Sequence, residues 1–136
     1  MIGDNFYFNG KEYKCSYGKI SIHCLNFDLD NDPRFYRCKN QEDAYQELTR
    51  LEDHFLLSQK MVKDCGMQES ILARQKDKSD KLTIIDGHMR LAVLKYLYLS
   101  ENEKVNWAEA KVQIIHNIDD EAVTDLKKSI QSLKHK

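Results

Sequence analysis

Three side chains with different proton and charge chemistry lie within five consecutive residues of this chain. They are Asp86, His88 and Arg90, with Gly87 between the first two. An apolar run typical of a β-strand, residues 82–85, precedes them, and a helical pattern begins directly after the glycine. A strand that passes into a helix through one glycine directs backbone N–H groups outward at the positive end of the helix dipole. The sequence therefore predicts an anion site at this junction.

Each residue of the junction has a functional interpretation and a structural alternative. Arg90 suits phosphate because a guanidinium binds two oxygens in a fixed fork, although it could instead form a salt bridge to Asp86 or a surface acid. Asp86 and His88 are the catalytic candidates. Asp86 could be a general base, a Mg²⁺ ligand or only the helix N-cap, and His88 could donate to phosphate, transfer a proton or have no special role. Gly87 could be needed for the turn, for the close approach of the backbone to a phosphate, or for both.

Composition and charge restrict the class of protein. A length of 136 residues predicts a single domain over residues 1–136, and a hydrophobic fraction of 41% predicts a real core. The formal net charge of −1 argues against a strongly basic nucleic-acid module. No apolar run approaches the roughly 18 residues of a membrane span, and the N-terminus lacks a secretory pattern. We therefore expect no membrane partner and a cytoplasmic location, where the four cysteines, which lack C-x-x-C spacing, stay reduced.

The N-terminal half of the chain supplies strands and then a long helical stretch. Asn9-Gly10 predicts a hairpin over residues 5–17, within an N-terminal extension of residues 1–18. Residues 19–27 continue as a strand, and the polar loop 28–33 follows it. Residues 41–65 are helical in pattern, with an interruption expected near Ser58 and a stop at Gly66.

The C-terminal half alternates strands and helices around the junction. Short strands are predicted at 69–74 and 82–85, the second in a central position of its sheet because it is almost continuously apolar. A helix over 88–100, a strand over 110–116 and a final helix within 119–136 complete the series. The buried stripe of that last helix is expected at Val123, Leu126, Ile130 and Leu133. This order of elements predicts a small mixed α/β domain.

From residue 20 to about residue 122 the chain resembles the ParB N-terminal/sulfiredoxin superfamily. Four landmarks carry the resemblance, in order: an asparagine-proline-arginine type box (NDPR, 31–34), a glycine before a short strand (GMQESIL, 66–72), a D-G-x-x-R box (DGHMR, 86–90) and an R-L-x-x-L-K helix (RLAVLK, 90–95). The resemblance implies a mixed sheet with flanking helices that binds a nucleoside triphosphate, CTP or ATP, with or without Mg²⁺. In this family the glycine-to-arginine box holds the phosphates.

The resemblance also implies which residues surround the nucleotide. It assigns phosphate or nucleotide contacts to six residues: Gly87, His88, Arg90, Arg34, Gly66 and Ser70. Glu69 and Ser70 stand where partition relatives carry a Gln-Pro pair, so Glu69 brings a negative charge toward the phosphates. That charge would be repulsive unless a metal or a basic substrate group lay between, so Asp86 and Glu69 are the candidate metal ligands.

Departures from the family patterns separate its branches. His88 occupies the position of the reactive cysteine of sulfiredoxins, and the sequence G-H-M-R has one arginine where partition proteins carry G-E-R-R. The amino-acid kinase box, D-G-H-H-R, is nearer, but Met89 replaces its second histidine. Because 136 residues leave no room for the further domains of a complete partition protein, we expect the chain not to be one.

The leading hypothesis is a nucleotide-dependent, DNA-associated accessory factor, with nucleotide, DNA and a second copy of the chain as partners. Two alternatives remain. One is a Mg²⁺-dependent phosphotransferase, NTPase or nuclease that uses the same pocket, and the other is a non-catalytic protein-interaction module.

Overall fold

The computed structural model describes residues 2–65, 70–75, 81–100 and 107–134 of the chain. The strands are β1 (Ile2–Phe8), β2 (Lys11–Ser21), β3 (Leu25–Asn26), β4 (Ile71–Gln75), β5 (Leu82–Asp86) and β6 (Glu109–His116). The helices are α1 (Gln41–Thr49), α2 (Glu52–Cys65), α3 (His88–Ser100) and α4 (Asp120–Lys134). The strands form one mixed sheet in the order β1-β2-β6-β4-β5-β3. The predicted mixed α/β class, with an N-terminal hairpin and flanking helices, is confirmed.

The hairpin forms where the sequence places it. Asn9 and Gly10 make the two-residue turn with φ values of 50° and 76°, which asparagine and glycine tolerate better than other residues. The turn sets the register of β1 against β2, with Phe6 opposite Tyr13. Beyond the hairpin, β2 is antiparallel to β6, β6 is parallel to β4, β4 is antiparallel to β5, and β5 is parallel to β3.

Helices cover both faces of the sheet. Neighbouring residues of one strand alternate between the faces, so Ile84 packs under α1, α2 and α3 while Ile85 packs under α4. Ile114 and Ile115 of β6 divide in the same way. Burial on both faces explains why β5 is almost continuously apolar, and β5 is an interior strand between β4 and the short edge strand β3.

Two predicted boundaries are wrong for local reasons. No separate strand covers residues 19–27, because β2 continues through Gly18 to Ser21 and a 3-10 turn, Ile22–Cys24, follows. The hydroxyl of Ser21 accepts the N–H of His23 at 3.2 Å, which starts this turn and directs Ile22 into the core. β3 then contains only two residues.

The helical stretch is interrupted at residues 50–51, not near Ser58. The Thr49 hydroxyl donates to the carbonyl of Gln46 at 3.1 Å, and the N–H of Leu51 donates to Leu48 only three residues back, at 3.2 Å. This tightened turn ends α1 and leaves Leu51 45% exposed. Ser58 therefore lies inside α2, and the helix continues through it without interruption.

The buried stripe of α4 is shorter than predicted. Val123 and Leu126 are buried against the sheet and Ile130 is partly buried, but Leu133 is 68% exposed. The predicted helix stop at Gly66 lies outside the described residues. Cys15, Cys24 and Cys38, whose side chains are described, are free thiols. Within the described part of the chain, no helix has both the length and the hydrophobicity that a membrane crossing requires.

Candidate functional site

The glycine between β5 and α3 has a backbone conformation that other residues rarely adopt. Its φ is +107°, and a Cβ atom added there would lie 3.1 Å from Cγ1 and 3.4 Å from Cα of Ile71 on β4. The first helical hydrogen bond runs from the N–H of Leu91 to the carbonyl of Gly87, at 3.1 Å. The N–H groups of the three residues before Leu91 therefore have no acceptor within the helix. The side chains of Ile71 and Arg90 lie close to this glycine, where they would crowd any side chain at position 87.

Arg90 folds back over the same glycine. Its Nη1 donates to the backbone carbonyl of Ser70 at 3.2 Å and would be 3.2 Å from a Cβ on Gly87. The half-buried guanidinium is thus fixed beside the first turn of α3. Because Ser70 contributes its carbonyl to this bond, its exposed hydroxyl is not part of it. The structure brings Gly87, Arg90 and Ser70 together.

Asp86 is the last residue of β5 and is half-buried. It lies opposite Leu72 of β4 in the strand register. Within residues 2–65, 70–75, 81–100 and 107–134, no three His, Cys, Asp or Glu side chains form a group that could hold a metal ion. Glu69, the second candidate metal ligand, and Gly66, a candidate phosphate contact, lie outside these ranges.

His88 is buried, with only 2% of its surface exposed. Its Nε2 accepts the backbone N–H of Asp28 at 3.2 Å, so the proton of the neutral ring is on Nδ1, which lies 3.7 Å from Oδ2 of Asp32. The ring also packs against Phe27 and Phe35, with centroid separations of 6.1 and 5.3 Å. Burial lowers the pKa of His88 to about 3, although the charge of Asp32 opposes that shift. These contacts favour a neutral histidine that positions residues 28–35, a loop that ends in the 3-10 turn Pro33–Phe35 and is called the 28–35 loop below.

Arg34 forms an ion pair with Asp32, the same carboxylate that faces this buried histidine. Its Nε and Nη2 donate to the two carboxylate oxygens of Asp32 at 3.1 and 2.9 Å. Burial raises the pKa of Asp32, but the hydrogen bonds and charge of Arg34 outweigh it and hold that pKa below its ordinary value. The exposed guanidinium therefore belongs to a loop whose ionised Asp32 faces the first residue of α3.

Asp28 and Lys127 form a buried ion pair that the sequence did not reveal. Nζ of Lys127 lies 2.6 Å from Oδ2 of Asp28, and the side chains are 14% and 3% exposed. The other oxygen of Asp28 accepts the backbone N–H of Asn31 at 3.1 Å. The pair joins α4 to the loop that carries Arg34. Its members are 99 residues apart, and in the sequence Asp28 looks like a loop residue and Lys127 like part of a basic helix end.

Comparison with solved structures finds a similar fold in a chromosome-partitioning protein. The C-terminally truncated chromosome-partitioning protein ParB from Caulobacter crescentus, complexed with CTP-γ-S, matches with a TM-score of 0.55 and 18% identity over 85% of this chain. The chain spans 53% of the length of that protein. A second match is a Pnob8-like ParB-N domain, with a TM-score of 0.48 and 16% identity. The match covers 85% of this chain and 34% of the chain of that structure. No family model and no curated protein matches. The chain has a ParB-like fold.

Proposed function

We propose that this chain binds a nucleoside triphosphate, CTP or ATP, at the junction of β5 and α3. The observation that carries the proposal is the pairing of Gly87 with Arg90. Gly87 has a positive φ and no Cβ, which leaves room for the guanidinium of Arg90, and the carbonyl of Ser70 fixes that guanidinium beside the helix start. Helix N-terminal N–H groups and a guanidinium are both phosphate ligands. The ParB-like fold supports the proposal, because the ParB structure of that fold contains CTP-γ-S.

The remaining contacts follow from the loops around the junction. Arg34 would supply a second guanidinium if the bound phosphates draw it from Asp32, and the Ser70 hydroxyl and Gly66 would complete the phosphate contacts. His88 would act by holding the 28–35 loop, since its ring nitrogens face Asp28 and Asp32.

Mg²⁺ fits this site as a partner of the phosphates. Such ions in nucleotide sites keep several waters and bind to one or two carboxylates plus phosphate oxygens. The half-buried carboxylate of Asp86 directly precedes Gly87 and suits one ligand position, and Glu69 is the proposed second. When bound, the ion would neutralise phosphate charge, while Arg90 would orient the phosphates.

Calorimetric titration tests this proposal. CTP, ATP and ADP are titrated, with and without Mg²⁺, into the unaltered protein, Arg90→Ala and Arg50→Ala. Arg50 is the matched control because it is an exposed arginine paired with Glu47 on α1. We expect Arg90→Ala to weaken triphosphate binding about tenfold or more, since a charge-assisted hydrogen bond contributes roughly 1.5–3 kcal/mol, and Arg50→Ala to have no effect. A folded protein that binds none of the three nucleotides contradicts the proposal.

The proposed cellular role is that of a nucleotide-dependent, DNA-associated accessory factor. With a net charge of −1, DNA contact would have to come from a local basic patch or from a dimer. Fluorescence anisotropy of a labelled duplex and sedimentation velocity, each with and without nucleotide, test the two partners. Nucleotide binding without any effect on DNA affinity or on oligomeric state would favour the interaction-module alternative.

The enzymatic alternative rests on Asp86, whose carboxylate directly precedes the glycine. As a general base or metal ligand it would support phosphoryl transfer, nucleotide hydrolysis or nuclease activity in this pocket. Release of phosphate or cleavage of DNA that Asp86→Asn abolishes, while nucleotide binding persists, would establish this alternative over binding alone.

A further inference from the structure

A pocket of about 240 Å³ lies between α1 and α3, away from the β5–α3 junction. Lys95, Tyr98 and Leu99 line it from α3, and their spacing places them on one face of that helix. Arg90 is five residues earlier than Lys95, which is about 140° around the helix at 3.6 residues per turn. The pocket therefore opens on a different side of α3 from the proposed phosphate site.

Four of the nine residues that line this pocket carry aromatic rings: His23, Phe27, Tyr45 and Tyr98. Phe27 belongs to the buried core, Tyr45 comes from α1 and Tyr98 from α3. His23 meets the ring of Tyr98 edge-on, with centroids 5.1 Å apart and planes at 80°. Rings of this kind favour a flat, apolar ligand body, which can stack on them or meet them edge to face. A cavity of about 150 Å³ already holds benzene, so this pocket has room for one or two fused rings.

The ammonium group of Lys95 shares the lining of this pocket with the carboxylate of Glu42, but forms no hydrogen bond or ion pair with a described residue. Nζ of Lys95 lies 5.9 Å from the centroid of Phe27, near the outer limit of cation–π attraction. Burial lowers the pKa of Lys95, the charge of Lys81 lowers it further, and Glu42 opposes them. An anion brought to Lys95 would offset the loss of hydration of this charge.

Two other polar side chains of the pocket, Gln41 and Glu42, already have hydrogen-bond partners. The amide oxygen of Gln41 accepts the backbone N–H of Phe27 at 2.6 Å, and its amide nitrogen donates to the Phe27 carbonyl at 3.0 Å. Glu42 accepts a hydrogen bond from Gln46 at 2.9 Å on the exposed surface of α1. Lys95 is thus the group with the most to gain from a charged ligand.

We propose that this pocket binds a small planar aromatic carboxylate, with its ring against Phe27, Tyr45 and Tyr98 and its carboxylate at the ammonium of Lys95. The ring would pack on the aromatic side chains, and the carboxylate would pair with the ammonium of Lys95, which lines the pocket. The site is independent of the nucleotide site, so each can fail without the other.

A pair of ligands tests the charge requirement on the unaltered protein. Indole-3-acetate and indole-3-acetamide share one ring system and differ in charge, and acetate supplies the charge without the ring. Amide chemical-shift titration should show indole-3-acetate shifting signals of α1 and α3 and binding about tenfold or more tighter than either comparator. Equal affinity for the acid and the amide, or no binding of the acid, overturns the proposal.

Variants identify the residue and separate the two sites. Lys95→Gln should abolish the preference for the acid over the amide, Lys95→Arg should retain it, and Lys60→Gln on the exposed surface of α2 should leave it unchanged. Arg90→Ala should retain indole-3-acetate binding. If CTP or ATP displaces indole-3-acetate and Arg90→Ala abolishes binding of both, the pocket belongs to the nucleotide site and the proposal of a separate ligand is wrong.

Discussion

Among single residues, those of the β5–α3 junction divide into two kinds. Gly87 and Arg90 are recognisable from the sequence because local requirements select them: a strand-to-helix turn needs the glycine, and the arginine lies in the first helical turn. His88 is different, because its position in the box indicates proximity to phosphate and says nothing of burial. Only the packing of Phe27, Phe35 and the 28–35 loop around the ring makes it a neutral, inward-facing side chain.

Gly87→Ala should reduce both stability and nucleotide affinity. Alanine is strained at the φ of +107° found here. Its Cβ would also lie 3.2 Å from Nη1 of Arg90, so the guanidinium would have to shift. We expect a loss of about 1–3 kcal/mol in the free energy of unfolding, measured in urea, with weaker binding by calorimetry.

Gly10→Ala is the matched control for this substitution. Gly10 also has a positive φ, +76°, but a Cβ there would meet nothing within 4 Å. It should therefore cost stability through backbone strain alone and leave nucleotide affinity unchanged. Equal affinities of the two variants would show that Gly87 has no part in the site.

At the level of elements, ion pairs connect α4 to β4 and to the 28–35 loop. The buried Arg74 of β4 reaches Asp120 in the first turn of α4, at 2.6 Å, and Lys127 two turns later reaches Asp28. The sequence predicts α4 itself from its apolar spacing, but periodicity carries no information about these partners. The same limit explains the misplaced interruption between α1 and α2, which depends on a 3-10 turn and not on apolar spacing.

Lys127→Met should destabilise the protein by about 3–5 kcal/mol, because it leaves the buried Asp28 carboxylate without its cation. Urea unfolding measures the change, and Lys128→Met, at the exposed neighbouring position, is the control. Adding Asp28→Asn to Lys127→Met should restore part of the loss, since the carboxylate is then neutral. A Lys127→Met variant as stable as the control would mean that the pair does not hold α4 to the 28–35 loop.

For the whole molecule, the buried histidine makes stability depend on pH. The pKa of His88 falls from 6.5 to about 3 on folding, so between these values the unfolded chain binds a proton that the folded protein does not. The contribution of His88 to the free energy of unfolding is therefore fully present above pH 6.5 and decreases as the pH falls toward 3. Asp32, with a lowered pKa, acts in the same direction only below its ordinary value of 3.8.

The free energy of unfolding should consequently fall by about 2–3 kcal/mol between pH 7 and pH 4.5 through His88 alone. In His88→Gln, which keeps an acceptor for the Asp28 N–H but does not titrate, this slope should be smaller. His54→Gln, an exposed substitution on α2, should retain the slope of the unaltered protein. Parallel pH profiles for the unaltered protein and His88→Gln would contradict the assignment of a neutral buried imidazole.

The sequence by itself determined the features that depend on neighbouring residues: the Asn9-Gly10 hairpin, the doubly buried strand β5, and the glycine and arginine at the start of α3. Local backbone sterics and apolar spacing act over a few residues, so they can be recognised in the printed chain. The tertiary structure alone decided which distant side chains meet, as with Asp28 and Lys127, His88 and Asp32, or Lys95 and Phe27. These contacts arise because packing in three dimensions, and not sequence separation, sets which groups lose water together.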